Sequence, residues 1–166
     1  ASAATYVWLP MQVNAEKLSI PFYWQSWDAE KVKSHDVLKY ARHRKPLLLY
    51  SNEAGKSVKT NFKGTHVAVV GKTDNHGGYG LVSVLNTHGD TVYSSLIDFY
   101  SKVPQEGIRV ITPQMPYGKY TLEVMATGEK ANWSDKRKNL YGSDDSFVQT
   151  SQFYVYGCKS RKSKRR

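Results

Sequence analysis

The chain has one cysteine, Cys158, among 166 residues. No internal disulfide can form, so cysteine usage does not choose between a reducing compartment and an oxidising exterior. It contains no run of about 18 apolar residues, which excludes a membrane-spanning helix. The initial Ala-Ser-Ala-Ala lacks the charged-then-apolar profile of a signal peptide, and fits either a mature end left by cleavage or a cloning remnant. The histidines, His35, His43, His66, His76 and His88, show no metal-ligand spacing, so a transition-metal centre is not expected. The glycine-rich run His76-Gly77-Gly78-Tyr79-Gly80 lacks the Lys-Ser/Thr of a phosphate loop and precedes a strand pattern in place of a helix. Nucleotide binding through such a loop is excluded with it.

What the chain does have is apolar content of 40%, enough for one domain with a real core and short for two. Its net charge is +10. Much of that charge sits in Lys159, Arg161, Lys162, Lys164, Arg165 and Arg166, so the folded part is only mildly basic. Two readings fit this terminal cluster: a disordered, solvated tail over 158–166, or a contact for an anionic polymer such as nucleic acid or acidic polysaccharide, or for anionic lipid.

Residues 1–49 read as an irregular extension packed on the main domain. Apolar aromatic pieces at 6–9 and 20–24 fit edge strands punctuated by Pro10 and Pro21. The 28–44 stretch allows a short amphipathic helix or a basic loop, and 47–50 a strand. From Ser57 onward strand patterns recur regularly, at about 57–63, 66–71, 80–87, 91–98, 107–112, 119–127 and 147–156. The first two, separated only by a glycine-bearing turn, predict a β-hairpin. The expected fold is all-β, an antiparallel jelly-roll sandwich over 50–157.

The connections are unequal, and 72–79, 99–106 and 128–146 are the long ones. If successive strands alternate in direction, these three share one end of the domain. Binding groups concentrate on loops held by a rigid scaffold, so that end is where a site is expected. Its candidate ligand-binding residues are Asp74, His76, Tyr79, Tyr100, Asn132, Trp133, Asp135, Arg137 and Tyr141. An aromatic face can lie against the apolar face of a pyranose while amide, carboxylate and basic groups hold its hydroxyls. Asp74, Asp144 and Asp145 also offer hard oxygen ligands for a structural calcium ion, and no other cofactor is implied. Asn132-Trp133-Ser134 matches the N-glycosylation pattern.

The order of pieces resembles the galactose-binding-like jelly-roll domains that occur as carbohydrate-binding modules and as accessory domains of SGNH-type esterases and glycoside hydrolases. The pieces are Gly55, then Phe62 with Gly64 and Thr65, the apolar run 67–71, the strand over 82–85, Met115-Pro116-Tyr117-Gly118, the strand over 120–127 with Gly128, and 153–156. The match spans about 50–157, with a longer turn, Asn86-Thr87-His88-Gly89, where the family tends to have Asp-Gly.

An SGNH-type hydrolase would need a Gly-Asp-Ser block and a late histidine. Gly89-Asp90-Thr91 has threonine in place of serine, and no histidine follows His88. No pair of carboxylates is identifiable for glycoside hydrolysis either. The basic-aromatic patches at 40–45 and 136–141 are short and separate, as solvated loops would be. The expectation is therefore a non-catalytic, lectin-like carbohydrate-binding domain, exported to the extracellular space or periplasm. The alternatives are a supporting domain or subunit beside a carbohydrate-active hydrolase or esterase, without a ligand of its own, and a basic protein that binds anionic polymers.

Overall fold

The computed structural model describes residues 9–14, 17–20, 27–28, 30–31, 33–34, 37–134, 137–138 and 140–157. It divides into a small unit, Ala3–Tyr40, and a larger one running from Ala41. In the small unit β1 (Gln12–Asn14) pairs with β2 (Lys17–Ser19), β3 (Trp27–Asp28) pairs with β4 (Lys33–Ser34), and Val37–Tyr40 forms a 3-10 turn. Among the described residues, that turn is the helical content of the ambiguous 28–44 stretch. Residues 6–8 and 21–24, read from sequence as parts of edge strands, lie outside the described residues, as does the basic tail.

The larger unit is an antiparallel sandwich of two four-stranded sheets. Its strands are β5 (His43–Ser51), β6 (Ser57–Gly64), β7 (His66–Thr73), β8 (Tyr79–Leu85), β9 (Thr91–Asp98), β10 (Gln105–Ile111), β11 (Gly118–Ala126) and β14 (Val148–Tyr156). A short hairpin, β12 (Asn132–Ser134) with β13 (Leu140–Gly142), lies between β11 and β14. One sheet has the order β10-β7-β14-β5, the other β6-β11-β8-β9. The all-β sandwich expected from the sequence is the fold observed.

Strand alternation builds the core. Val82 and Val84 of β8, and Leu122, Val124 and Ala126 of β11, are fully buried, while Ser83, Glu123 and Met125 between them are not. From the other sheet Leu47, Leu49, Val67, Val69, Phe153 and Val155 enter the same cluster. Strand β7 lies between β10 and β14, and its run Val67, Ala68, Val69, Val70 is buried on both faces, which explains its lack of alternation. At the sheet edge β5 alternates from Pro46 onward, with Leu47 and Leu49 inward and Leu48 and Tyr50 exposed. Pro46 removes a donor from a strand that has a neighbour on one side only, where the loss is tolerated.

The hairpin expected over 57–71 is corrected by the structure. β6 and β7 belong to different sheets, and the single residue Thr65 between them turns the chain through a corner of the sandwich. A tight β-hairpin needs two loop residues to reverse the chain, and one suffices only to change direction. The corner is fastened by Thr65 N–H to the Tyr156 carbonyl (2.9 Å) and by Met115 N–H to the Thr65 carbonyl (2.8 Å). Gly64 is required there, because a Cβ would strike the Tyr156 carbonyl.

His66 leaves this corner with its ring stacked on Tyr156, centroids 4.3 Å apart, and its Nδ1 3.0 Å from the Thr65 hydroxyl. Burial lowers its pKa below the ordinary imidazole value. The folded state thus resists the proton that the unfolded chain accepts, so stability is full above the ordinary imidazole range and falls on acidification through it. Thermal melts at about pH 7.5 and about pH 5.5 should show a smaller acid-induced loss of Tm for His66→Gln than for wild type. Equal losses would remove His66 as the cause.

Candidate functional site

The site is built from loops at one end of the sandwich. Asp74 begins the first, and its Oδ1 accepts the His76 N–H (3.0 Å), holding a tight turn. Its Oδ2 pairs with Lys72 Nζ at 3.3 Å. The Asp74 carbonyl accepts N–H groups from Gly77 (3.2 Å) and Ser101 (2.9 Å), and its own N–H reaches the Phe99 carbonyl (3.3 Å). This ties the 74–78 loop to the segment after β9, where Tyr100 bridges Asp74.

The third loop is fastened to the first by its residues 143–147. The Asn75 amide donates to Asp144 Oδ2 (2.7 Å), while the Asn75 carbonyl accepts the Asp144 N–H and the Ser143 hydroxyl, both at 2.9 Å. His76 Nδ1 lies 3.8 Å from Asp144 Oδ2, and the His76 carbonyl accepts the Phe147 N–H (2.9 Å). Lys130 Nζ donates to the Asp144 carbonyl at 2.8 Å. Asn75, His76 and Asp144 are exposed, so a hydrogen-bonded polar cluster faces solvent on a cross-linked base.

A turn after β5 joins the same end. The Asn52 side chain donates to Asp145 Oδ1 (3.1 Å), Ser146 N–H to the same oxygen (2.7 Å), and the Ser146 hydroxyl to the Asn52 carbonyl (3.3 Å). The Asn52 amide and the Ser146 N–H hold the Asp145 carboxyl below its usual range. Beside them Tyr50 stacks on Phe147, centroids 4.6 Å apart at 14°.

Tyr79 opens β8 opposite Asp98. Its pKa is raised by burial first, then by the negative charges of Asp98 and Glu129. Burial also raises the pKa of Asp98, opposed by the Tyr100 N–H bonded to its Oδ1 at 2.8 Å. Tyr79, Asp98 and Tyr100 thus form a half-buried group at the start of β8.

The remaining candidates lie on or next to the β12–β13 hairpin. Asn132 pairs with Gly142, and Trp133 sits opposite Tyr141 in the register. Ser143 N–H donates to the Ala131 carbonyl (2.9 Å), so the hairpin stem is continuous with the segment that binds Asn75. Asn132, Tyr141 and Arg137 are exposed, and Asp135 lies outside the described residues.

The structure therefore brings Asp74, His76 and Tyr100 together, places Tyr79 opposite Asp98, whose carboxylate accepts the Tyr100 N–H, and carries Asn132, Trp133 and Tyr141 on a hairpin rooted beside the 143–147 segment. The carboxylates proposed as calcium ligands, those of Asp74, Asp144 and Asp145, each accept from a different set of protein donors. Among the described residues no group of three or more His, Cys, Asp or Glu side chains is placed to hold a metal ion. Sequence reasoning missed Asn52 and Lys130 as fasteners, since Asn52-Glu53-Ala54-Gly55 reads as an ordinary turn. Among the described residues no helix is long and apolar enough to cross a membrane.

No protein-family model matches the chain, and no curated protein does. Among solved structures, it is similar to a family two carbohydrate esterase from Cellvibrio japonicus, with 14% identity and a TM-score of 0.39 over 70% of this chain and 31% of that one. The chain thus spans about a third of the esterase. It is also similar to the CBM36-1 domain of a multidomain xylanase from the hindgut metagenome of Trinervitermes trinervoides, with 14% identity and a TM-score of 0.39 over 67% of this chain and 78% of that one.

Proposed function

We propose that this chain is a non-catalytic carbohydrate-binding domain of the galactose-binding-like kind, exported from the cell, which holds a glycan at the loop end of the sandwich. The observation that carries this reading is the exposed Asn75, His76 and Asp144 cluster, cross-linked on a fixed base and continuous with the hairpin that bears Trp133 and Tyr141. Amide, imidazole and carboxylate groups supply donors and acceptors for sugar hydroxyls, and Trp133 and Tyr141 are residue types that stack on a pyranose ring. Because the cluster is preordered by contacts among four segments of chain, little conformational entropy is lost on binding. Asp144 and Asp145 hold neighbouring loops together through Asn75 and Asn52, which suits a scaffold for recognition.

The test is binding to a glycan array, followed by titration of the best glycan. Trp133→Ala should weaken affinity about tenfold or more, the scale of one lost stacking contact with its buried area. Asn75→Ala should weaken it less while also lowering thermal stability, since the Asn75 amide bonds Asp144. Absence of glycan binding by the wild-type chain would overturn the reading.

A further inference from the structure

A polar groove lies at the other end of β8. Tyr79 opens that strand at the loop end, and Asn86 follows its last residue, about 20 Å away at the rise of an extended chain. There Asn86 and Thr87 form one rim of a groove of about 510 Å³ whose other walls include Lys45, Lys63, Lys119 and Asn61. Its volume lies within the range of small-ligand sites.

Three lysines converge on this groove from three strands, β5, β6 and β11. Lys63 and Lys119 are direct cross-strand partners, a like-charge arrangement that weakens a sheet. Four positions along the same ladder the pairing is of opposite charge: Lys59 meets Glu123, and they form an ion pair at 3.2 Å. The residues lining the groove include no carboxylate, and no carboxylate of the described residues pairs with Lys45, Lys63 or Lys119. Lys45 Nζ reaches only the Asn61 carbonyl at 3.5 Å, and Lys63 Nζ lies 5.6 Å from the Tyr117 ring centre. A concave surface with uncompensated positive charge focuses its field on anions.

The rest of the lining selects among anions. Asn61 Oδ1 accepts from the Thr121 hydroxyl at 2.9 Å while its exposed side chain keeps an amide donor, and Thr87 adds an exposed hydroxyl. These are partners for sugar hydroxyls. The aromatic residues of the groove are not offered for stacking: Phe62 is 4% exposed, Tyr120 stacks on it with centroids 5.5 Å apart, and the Tyr120 hydroxyl is bonded to the Pro116 carbonyl at 2.7 Å. A single-stranded nucleic acid would want such rings free.

We infer that this groove is a binding site for an acidic oligosaccharide, with Lys45, Lys63 and Lys119 holding its carboxylate or sulfate groups and Asn61 and Thr87 its hydroxyls. The site is separate from the loop end and does not depend on the glycan reading made there.

The test is calorimetric titration of the full chain with an oligogalacturonate, a sulfated heparin oligosaccharide, a neutral xylo-oligosaccharide and a single-stranded oligonucleotide. Binding of an acidic sugar is expected, weakening as salt is added, and whichever of the first two probes binds tighter identifies the anionic group. Each of Lys63→Gln and Lys119→Gln should weaken it about fivefold to tenfold, and the triple variant with Lys45→Gln about a hundredfold. Both single variants should fold, with Tm unchanged or raised, because they relieve a like-charge pair. Trp133→Ala and deletion of 159–166 should leave this binding intact. Unchanged affinity in the triple variant, loss that follows the tail deletion, equal affinity for the neutral sugar, or equal lysine-dependent binding of the oligonucleotide would each overturn the assignment.

Discussion

Phe99→Ala is expected to cost about 3–5 kcal/mol of folding stability, the range for deleting a buried aromatic ring. In a domain of this size that is roughly a 10 °C fall in Tm, measurable by calorimetry or by urea unfolding with the slope unchanged. Phe99 is fully buried, and its ring fills a space left open by two glycines in opposite sheets. A Cβ on Gly71 of β7 would lie 3.0 Å from the ring, and one on Gly80 of β8 only 2.8 Å from it. The ring therefore plugs the sandwich between its sheets beneath the loop end. This gives the prediction a second, sharper part. Gly80→Ala alone should be destabilising, because its methyl group meets the ring. Combined with Phe99→Ala, that methyl group enters the cavity, so the double variant should be more stable than the sum of the two losses implies. A cost below about 1 kcal/mol for Phe99→Ala, or strict additivity in the pair, would show that the ring does not fill this space.

Where a strand has one buried face, its position was readable. Leu122 and Val124 alternate with Glu123 and Met125, and the strand Gly118–Ala126 lies within one residue of the 119–127 that the pattern predicts. The central strand β7 was readable for the opposite reason, since burial on both faces demands an unbroken apolar run. Partnership between strands was not readable. Alternation within Phe62 and Val67 is the same whether the chain reverses into a hairpin or turns a corner, and only the one-residue length of the link at Thr65 distinguishes them. The start of β5 was hidden because His43, Arg44, Lys45 and Pro46 are exposed on an edge, where charge and proline are tolerated and apolar periodicity is not needed.

The loop end shows the same division. Unequal connection lengths pointed to it, because length is a property of sequence. The bonds that fix it were out of reach, since Asn75 with Asp144 and Asn52 with Asp145 join residues far apart in the chain through short polar side chains that look like any solvated turn. The groove at the other end of β8 had no local signature at all: Lys45, Lys63 and Lys119 are unremarkable singly and become a cluster only through strand register.

Gly77→Ala should injure both stability and the proposed glycan binding. Its φ lies outside the left-handed region, so the demand for glycine comes from space. A Cβ there would collide with the Phe99 carbonyl and lie 2.7 Å from the Tyr100 nitrogen. Those atoms are backbone, held by Phe99 N–H to the Gly78 carbonyl (2.9 Å) and by the Asp74 N–H on the Phe99 carbonyl itself, so the collision cannot be relieved by a rotamer change. The 74–78 loop must move away, with loss of one or more of these bonds, at a cost of about 2–4 kcal/mol from overpacking and unpaired backbone groups. Asn75 and His76 ride on that loop, so glycan affinity should fall by about tenfold or more even in buffer where the variant remains folded. Gly89→Ala is the matched comparison: it carries φ +89° but has no atom within 4 Å of the added methyl, so its cost should be confined to backbone strain of about 1 kcal/mol, with glycan affinity unchanged. The two variants separate crowding at the loop end from the general price of replacing glycine. If Gly77→Ala proved no more costly than Gly89→Ala and bound glycan as well as wild type, the cross-linked loop base would not be what positions the site.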